Sequence, residues 1–440
     1  MRSTRKERIA WYLYDWANSA FPTTVITVFI GPYLTSIAKN AAGPSGNLSI
    51  LGFDIFAGSY FPFIVSLSVL LQVIILPLAG AMADYTKQKK LFLGLFAYIG
   101  SFATMGLYFL EGEAYLYGGL LFIIANLSFG ASIVFYNSFI VDLAEPDRRD
   151  SVSSIGWAIG YLGGGILLLL NLMLFMNSEQ IGISESMAVR ISLASAGAWW
   201  AIFTIAPLMV LKRRIAKQKI PENRNLFTIG FTQLGRTIKN AKNYPKTLIF
   251  LAAYLFYNDG VQAVIALSAQ FGQEELGLEM STLTQTILIV QFVAFGGALL
   301  FNYLARQFTS KKALLISLVI WSGAVIFAYG FLYSEAGFLI LGVVIGLVLG
   351  GTQALSRSLY SLLIPEGRES EYFSLYEVSE RGTSWLGPFI FGLALQFTGS
   401  YRIAILSLIV FFVVGFIMLL SLNIKKAIIE SGNELPEAYK

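Results

Sequence analysis

The sequence predicts an all-α membrane protein of twelve transmembrane helices in two six-helix, pseudo-symmetric halves. Three observations predict it. The 440 residues are 56% hydrophobic and only 13% charged, against about 25% charged in a typical soluble domain. Apolar runs long enough to cross hydrocarbon as a helix, about 20 residues each, recur from end to end. The basic residues collect in alternate gaps between those runs, as expected for cytoplasmic loops. The same composition excludes much else. With no cysteine and no histidine there is no disulfide, thiolate nucleophile, Cys/His zinc site or imidazole relay. The net charge of +5 sits in short clusters between apolar stretches, so no nucleic-acid partner is expected. Neither is a metal, a cofactor or an enzymatic role.

In chain order, the spans fall at roughly residues 10–38, 61–82, 91–110, 116–143, 152–176, 189–211, 247–270, 283–305, 313–333, 337–363, 373–397 and 401–424. The first is interrupted by Asp15 and Asn18 and has no short core with a small-residue cleavage site. It therefore reads as a retained helix, not a signal peptide. The runs are too long and too uniformly apolar for membrane strands. Of the 31 basic residues, Lys39, Arg190 and Arg402 alone fall in outer loops, while Arg357 and Arg381 fall inside predicted helices. That bias places both termini in the cytoplasm. Gly160, Gly163, Gly164 and Gly165 interrupt the fifth span, where small residues let backbones approach closely or bend. Pro22, Pro77, Pro207 and Pro388 sit within or near helix ends and are candidate bending points.

The longest hydrophilic stretch divides six helices from six. It gives an N-terminal half (1–211), a basic cytoplasmic linker (212–246) and a C-terminal half (247–440). Phe227, Ile229 and Phe231 in the linker are compatible with a surface amphipathic helix or with a solvated connection. An internal repeat supports the division. Gly80 to Asp84 is followed by Lys89 and Lys90, and Asn302 to Arg306 is followed at identical spacing by Lys311 and Lys312. Pro146 and Arg148 after the fourth span match Pro365 and Arg368 after the tenth. Asp15 and Asn18 on the first span match Asp259 and Gln262 on the seventh. Parallel six-helix repeats enclosing a central site are the plan of one large transporter architecture.

Longer motifs carry a resemblance. They are Tyr14-Asp15-Trp16-Ala17-Asn18-Ser19-Ala20-Phe21, Tyr257-Asn258-Asp259-Gly260, the run Gly350 to Ser358, and Ile364-Pro365-Glu366-Gly367-Arg368. With the loop Gly80, Asp84, Lys87, Lys89 and Lys90, they resemble the vacuole-effluxer-like branch of the major facilitator superfamily. The chain departs from the pattern at Lys87, at Arg306 and at Phe373-Ser374. The resemblance covers essentially the whole chain. It implies the major facilitator fold and secondary transport; eukaryotic relatives export amino acids from the vacuole. It also implies that helices 1, 4, 7 and 10 line a central path. The loop aspartate, Asp84, would latch helix 2 to the start of helix 11, with Arg381 as a local partner. Positive-inside anchoring is the plainer account of Lys87, Lys89 and Lys90.

A charged side chain near the bilayer centre costs about 3 kcal/mol on insertion scales and needs a partner or a wet cavity. On that ground Asp15, Asn18, Asn126, Asn137, Asn258, Asp259, Gln262, Gln353, Arg357 and Glu380 form the candidate solute- or ion-binding set. Asp15 with Asn18, Asp259 with Gln262, and Gln353 with Arg357 share helix faces. One reading has Arg357 holding a carboxylate of the solute or of the protein, with Asp15 or Asp259 coupled to protons. The other has Asp15 anchoring the end of its helix and Arg357 in a static pair with Glu377 or Glu380. The expected activity is secondary transport of a small polar solute, with protons as a candidate driving ion, by a monomer in the lipid bilayer. The expected location is a bacterial cytoplasmic membrane, or a vacuolar one in a eukaryote. A receptor or scaffold and a facilitative channel remain the alternatives. No phosphate-binding loop is present to power a pump.

Overall fold

The computed structural model describes residues 4–50, 52–57, 60–85, 88–212, 243–381 and 386–440. Most of the predicted linker, with Phe227, Ile229 and Phe231, lies outside the described residues, as does Lys87. Among the described residues, eleven helices are long and apolar enough to cross a membrane. The predicted span at 373–397 falls on two further helices, Glu369–Arg381 and Leu386–Thr398.

The first span is composite. Helix α1 (Arg5–Asn18) starts on a capping box in which the Glu7 amide donates to Thr4 Oγ1 at 3.2 Å and the Thr4 amide to Glu7 Oε2 at 3.0 Å. A π-helical stretch, Phe21–Phe29, follows, then α2 (Ile30–Ala42). Pro22 opens the widened turn, and the Thr27 hydroxyl donates to its carbonyl at 2.8 Å. Wide turns of this kind occur mostly at functional sites. A two-stranded antiparallel hairpin, β1 (Asn47–Ile50) with β2 (Phe53–Phe56), pairs Leu48 with Ile55 in the loop between the first two spans. Four-residue strands are too short for the apolar-run signal that locates helices, so the sequence reading left them out.

The remaining helices of the first half are α3 (Tyr60–Tyr85), α4 (Lys89–Gly106), α5 (Tyr115–Ser138), the short α6 (Ile140–Leu143), α7 (Arg149–Met176) and α8 (Glu185–Val210). The second half holds α9 (Pro245–Leu276), α10 (Met280–Gln307), α11 (Ser310–Gly330), α12 (Glu335–Ser361), α13 (Glu369–Arg381), α14 (Leu386–Thr398), α15 (Tyr401–Ser407), α16 (Ile409–Ser421) and α17 (Ile424–Glu430). Leu70, Phe102, Met209, Val319 and Ile417 are exposed. In water such a surface would be an aggregation liability, whereas in a bilayer it faces lipid.

Two interfaces position the centre. Within the first half, the α7 glycines admit α1: a Cβ at Gly163 would stand 2.7 Å from the Trp16 carbonyl oxygen, and one at Gly164 2.7 Å from Thr23 Oγ1. The predicted close packing is therefore made, along an unbroken helix. Between the halves, α7 packs on α10 and α12, while α13 packs on α3 and α5. Both termini lie on one face, where Glu437 N donates to Asp147 Oδ1 at 2.6 Å and Lys212 N to Glu7 Oε1 at 3.4 Å.

Candidate functional site

At the centre of the seam α1, α5, α7 and α12 converge on Arg357. Each of the guanidinium's five N–H donors has an acceptor. Nε donates to Ser153 Oγ at 2.9 Å, and Nη2 to the Ser153 carbonyl at 2.8 Å and to Asp15 Oδ2 at 3.4 Å. Nη1 reaches Asp15 Oδ2 at 3.4 Å and Asn137 Oδ1 at 3.3 Å. Asp15 and Asn137 belong to the first half and Arg357 to the second, so the ion pair crosses the molecule. The Tyr136 hydroxyl donates to the same Asp15 oxygen at 2.5 Å, and Asn137 Nδ2 donates to Glu377 Oε1 of α13 at 2.9 Å.

The pair is dry. Arg357 is 2% exposed and Asp15 6%. The guanidinium lies over the rings of Trp11, Trp157 and Tyr136, 4.9, 5.3 and 5.5 Å from their centroids, and such cation–π contacts strengthen when desolvated. Trp11 is held in place by stacking on Tyr136 at 4.4 Å and by donating to its carbonyl at 2.9 Å. Gly156 leaves the space: a Cβ there would stand 2.7 Å from Asp15 Oδ2 and 3.1 Å from Arg357 Nη2.

Toward the terminus-bearing face, further hydrogen bonds and an ion pair join helices from the two ends of the chain. Arg149 Nη1 donates to the Ser361 carbonyl at 2.7 Å, and Asp150 accepts from both Ser358 and Ser310 at 2.5 Å. Arg306 Nη2 donates to Ser151 Oγ at 2.8 Å, and Lys89 pairs with Glu369 at 3.4 Å. Gly80 lets α3 touch α13, since a Cβ there would come 2.5 Å from the Ser370 carbonyl oxygen and 3.0 Å from Ser374 Cβ.

In the other direction, one helical turn from Arg357, the Tyr161 hydroxyl donates to Gln353 Oε1 at 2.6 Å. Tyr254 donates to Glu380 Oε2 at 3.0 Å, and Asn258 Nδ2 to the Glu380 carbonyl at 3.2 Å. Asp259 accepts from the Gly387 amide at 3.0 Å through Oδ2, while its buried Oδ1 has no hydrogen-bond partner.

The structure thus brings Asp15, Asn137 and Arg357 into contact, and sets Gln353, Asn258 and Glu380 in the layer beside them. Arg357 is paired with Asp15, not statically with Glu377 or Glu380. Asp259 bonds within its own half instead of facing Asp15. Asn126 stands apart, donating to Ser68 Oγ at 2.8 Å between α5 and α3. Asn18 is buried with Nδ2 unpartnered, and Gln262 is half-buried on α9. The side chains of Asp84 and Arg381 lie outside the described residues, as does the latch expected between them. Lys90 is not without an interaction. Sequence reasoning missed Trp11, Tyr136, Ser153 and Asp150. Nothing distinguishes Tyr136 among 22 tyrosines, although its place beside Asn137 was a usable signal. Arg149, one of the basic residues between the fourth and fifth spans, is 4% exposed and donates to the Ser361 carbonyl.

Comparison with known proteins bears on the family and the fold. The sequence model of the family described as "Vacuole effluxer Atg22 like" matches residues 3–432. The chain is 32% identical over 421 residues to the uncharacterized MFS-type transporter YxiO of Bacillus subtilis, covering 95% of each. It is 25% identical over 480 residues to autophagy-related protein 22 of Eremothecium gossypii, covering 98% of this chain and 93% of the relative. Among solved structures, the major facilitator transporter FucP in its outward conformation superposes with a TM-score of 0.66 at 13% identity, over 95% of this chain and all of that one. A bacterial homologue of the iron transporter ferroportin gives 0.66 at 15% identity, covering 96% of this chain and 99% of that one. At these identities the structural likeness speaks for the fold.

Proposed function

The chain belongs to the vacuole-effluxer Atg22-like family of multi-pass major facilitator transporters, whose members are transporters and effluxers rather than enzymes, and from that premise we propose that it is a secondary carrier exporting a small polar solute by alternating access. The halves 1–211 and 247–440 are the moving bodies, the segment 212–246 tethers them, and the terminus-bearing face is cytoplasmic. The carrier works as a monomer in a cytoplasmic membrane. Amino acids, the cargo the family resemblance implies for eukaryotic members, are one candidate class, and protons one candidate driving ion.

One observation carries the reading: the buried Asp15–Arg357 pair joins the two halves beneath an aromatic seal. A cross-half ion pair that is dry in this state must separate, or exchange partners, for the closed face to open. Its desolvation cost has to be recovered from another contact, and a solute or an entering proton at Asp15 supplies one. The static alternative, a receptor or scaffold, has no use for closure concentrated on one face and centred on one pair.

The test is transport by the purified chain in proteoliposomes. Arg357→Ala and Asp259→Asn are expected to abolish uptake while leaving membrane insertion intact, and an imposed pH gradient to change the wild-type rate. Normal transport by both variants ends the central-site assignment. Indifference to the gradient ends the proton claim alone.

A further inference from the structure

We propose that the cargo carries a protonated amine, and that the Glu380 carboxylate, walled by Tyr161, Tyr254 and Tyr376, receives it. The inference rests on the carrier reading above and names the cargo's chemistry.

It begins with what Arg357 cannot do. All five of its N–H donors already have acceptors on Asp15, Asn137 and Ser153, and three aromatic rings cover it. No donor is left for a carboxylate of a solute. One turn away from the terminus-bearing face, the chemistry changes sign. Glu380 is partly exposed, and its hydrogen bond is the one from Tyr254 to Oε2. Tyr161 of the first half donates to Gln353 in the same layer. Tyr254 and Tyr376 stack at 4.2 Å, and Tyr161 packs on Trp157 at 5.6 Å. Aromatic rings from both halves therefore share the layer of this carboxylate, whose oxygen the Tyr254 hydroxyl holds. Asp259, on the same helix as Tyr254, adds a buried oxygen without a hydrogen-bond partner.

The charge balance then favours one class of ligand. Among the described side chains, neither Glu380 nor Asp259 has a cationic partner, and Arg357 is spent on Asp15. An anionic cargo would bring a further negative charge to the Glu380 carboxylate. A zwitterionic amino acid would bring a carboxylate with no guanidinium to meet it. An ammonium answers both features: it offers donors to Glu380 and a positive charge to the tyrosine faces, the pairing by which aromatic cages hold organic cations. Because Tyr161 comes from the first half and Glu380 from the second, such a cargo touches both bodies at once, as a transported solute must.

The test uses the full chain in proteoliposomes, with a monoamine, a diamine and a quaternary ammonium set against a neutral amino acid, a dicarboxylate and a neutral sugar. Saturable uptake of at least one amine is expected. Glu380→Gln should lower its kcat/KM at least tenfold, and Glu380→Asp should retain part of it. Cysteine labelling of the terminus-bearing face serves as the control and should match wild type in Glu380→Gln. Amine uptake unaltered by Glu380→Gln overturns the inference. Preference for the amino acid, the dicarboxylate or the sugar overturns it as well, yet leaves the carrier reading standing. If no solute moves and labelling never responds to any of them, both readings fall.

Discussion

Arg357 and Asp15 are each costly in the bilayer alone and tolerable together, so their effects under mutation should be unequal. Removing one partner leaves the other charge buried and unpaired, which costs about 3–5 kcal/mol in comparable interiors. Asp15→Asn and Arg357→Gln should therefore each lower the detergent-solubilised melting temperature and raise labelling of the terminus-bearing face. The double variant Asp15→Asn/Arg357→Gln carries no unpaired charge and should regain most of the melting temperature, yet not transport. Equal melting behaviour in all three variants would show that the pair is not a stability element. Tyr136→Phe removes one hydrogen bond to a charged group, worth about 1.5–3 kcal/mol, while keeping the ring that stacks on Trp11. Its melting shift should fall below that of Asp15→Asn. Gly156→Ala should be as damaging as either charge deletion, because its Cβ would enter the space 2.7 Å from Asp15 Oδ2; a fully active Gly156→Ala would contradict the tight packing described.

At the scale of elements, the C-terminal tail is a structural part of the closed face. Beyond α17, Asn433 Nδ2 donates to the carbonyls of Leu362 and Ile364 at 2.9 and 2.7 Å, at the end of α12. Glu437 N then reaches Asp147 of the first half, and Tyr439 Oη accepts from Lys311 N at 3.3 Å. Each such bond contributes about 1 kcal/mol, so deleting residues 433–440 should shift the chain toward states open on this face, read as faster labelling of a cysteine at Ser361. Unchanged labelling would make the tail an ornament of the fold. Burial, with Asp150 nearby, pushes the Tyr439 phenol up to about 12. Above pH 10 a free tail loses that proton while a docked tail keeps it, so docking should be constant through neutral pH and weaken between pH 10 and 12. The sequence announced the helices of this face through their apolar runs and basic loops. It did not announce the tail's docking, because Asn433 and Tyr439 act through backbone carbonyls and amides that have no sequence signature.

For the whole molecule, the all-α membrane fold was legible because lipid leaves a chain few options: apolar length, internal backbone bonding and charge bias are all written in composition, and eleven described helices are long and apolar enough to cross. The individual residues of the seam were legible for the same reason, since Asp15, Asn137 and Arg357 are conspicuous in apolar helices. Their partnership was not. Which buried charge meets which depends on the rotation and depth of helices from opposite halves, and pseudo-symmetry suggested Asp15 opposite Asp259 where the structure pairs it with Arg357. If the halves rock about this pair, the two faces must respond in opposite senses. The chain has no native cysteine, so paired spin labels can be placed cleanly at Arg148 and Lys312 on the closed face, and at Lys39 and Gln270 on the other, all exposed. The most direct measurement is the distance distribution of both pairs in one lipid environment, with wild-type Asp15 and with Asp15→Asn. The account predicts that Asp15→Asn lengthens the Arg148–Lys312 distance and shortens the Lys39–Gln270 distance together. Distances that stay fixed in both pairs, or that lengthen on both faces at once, would contradict it.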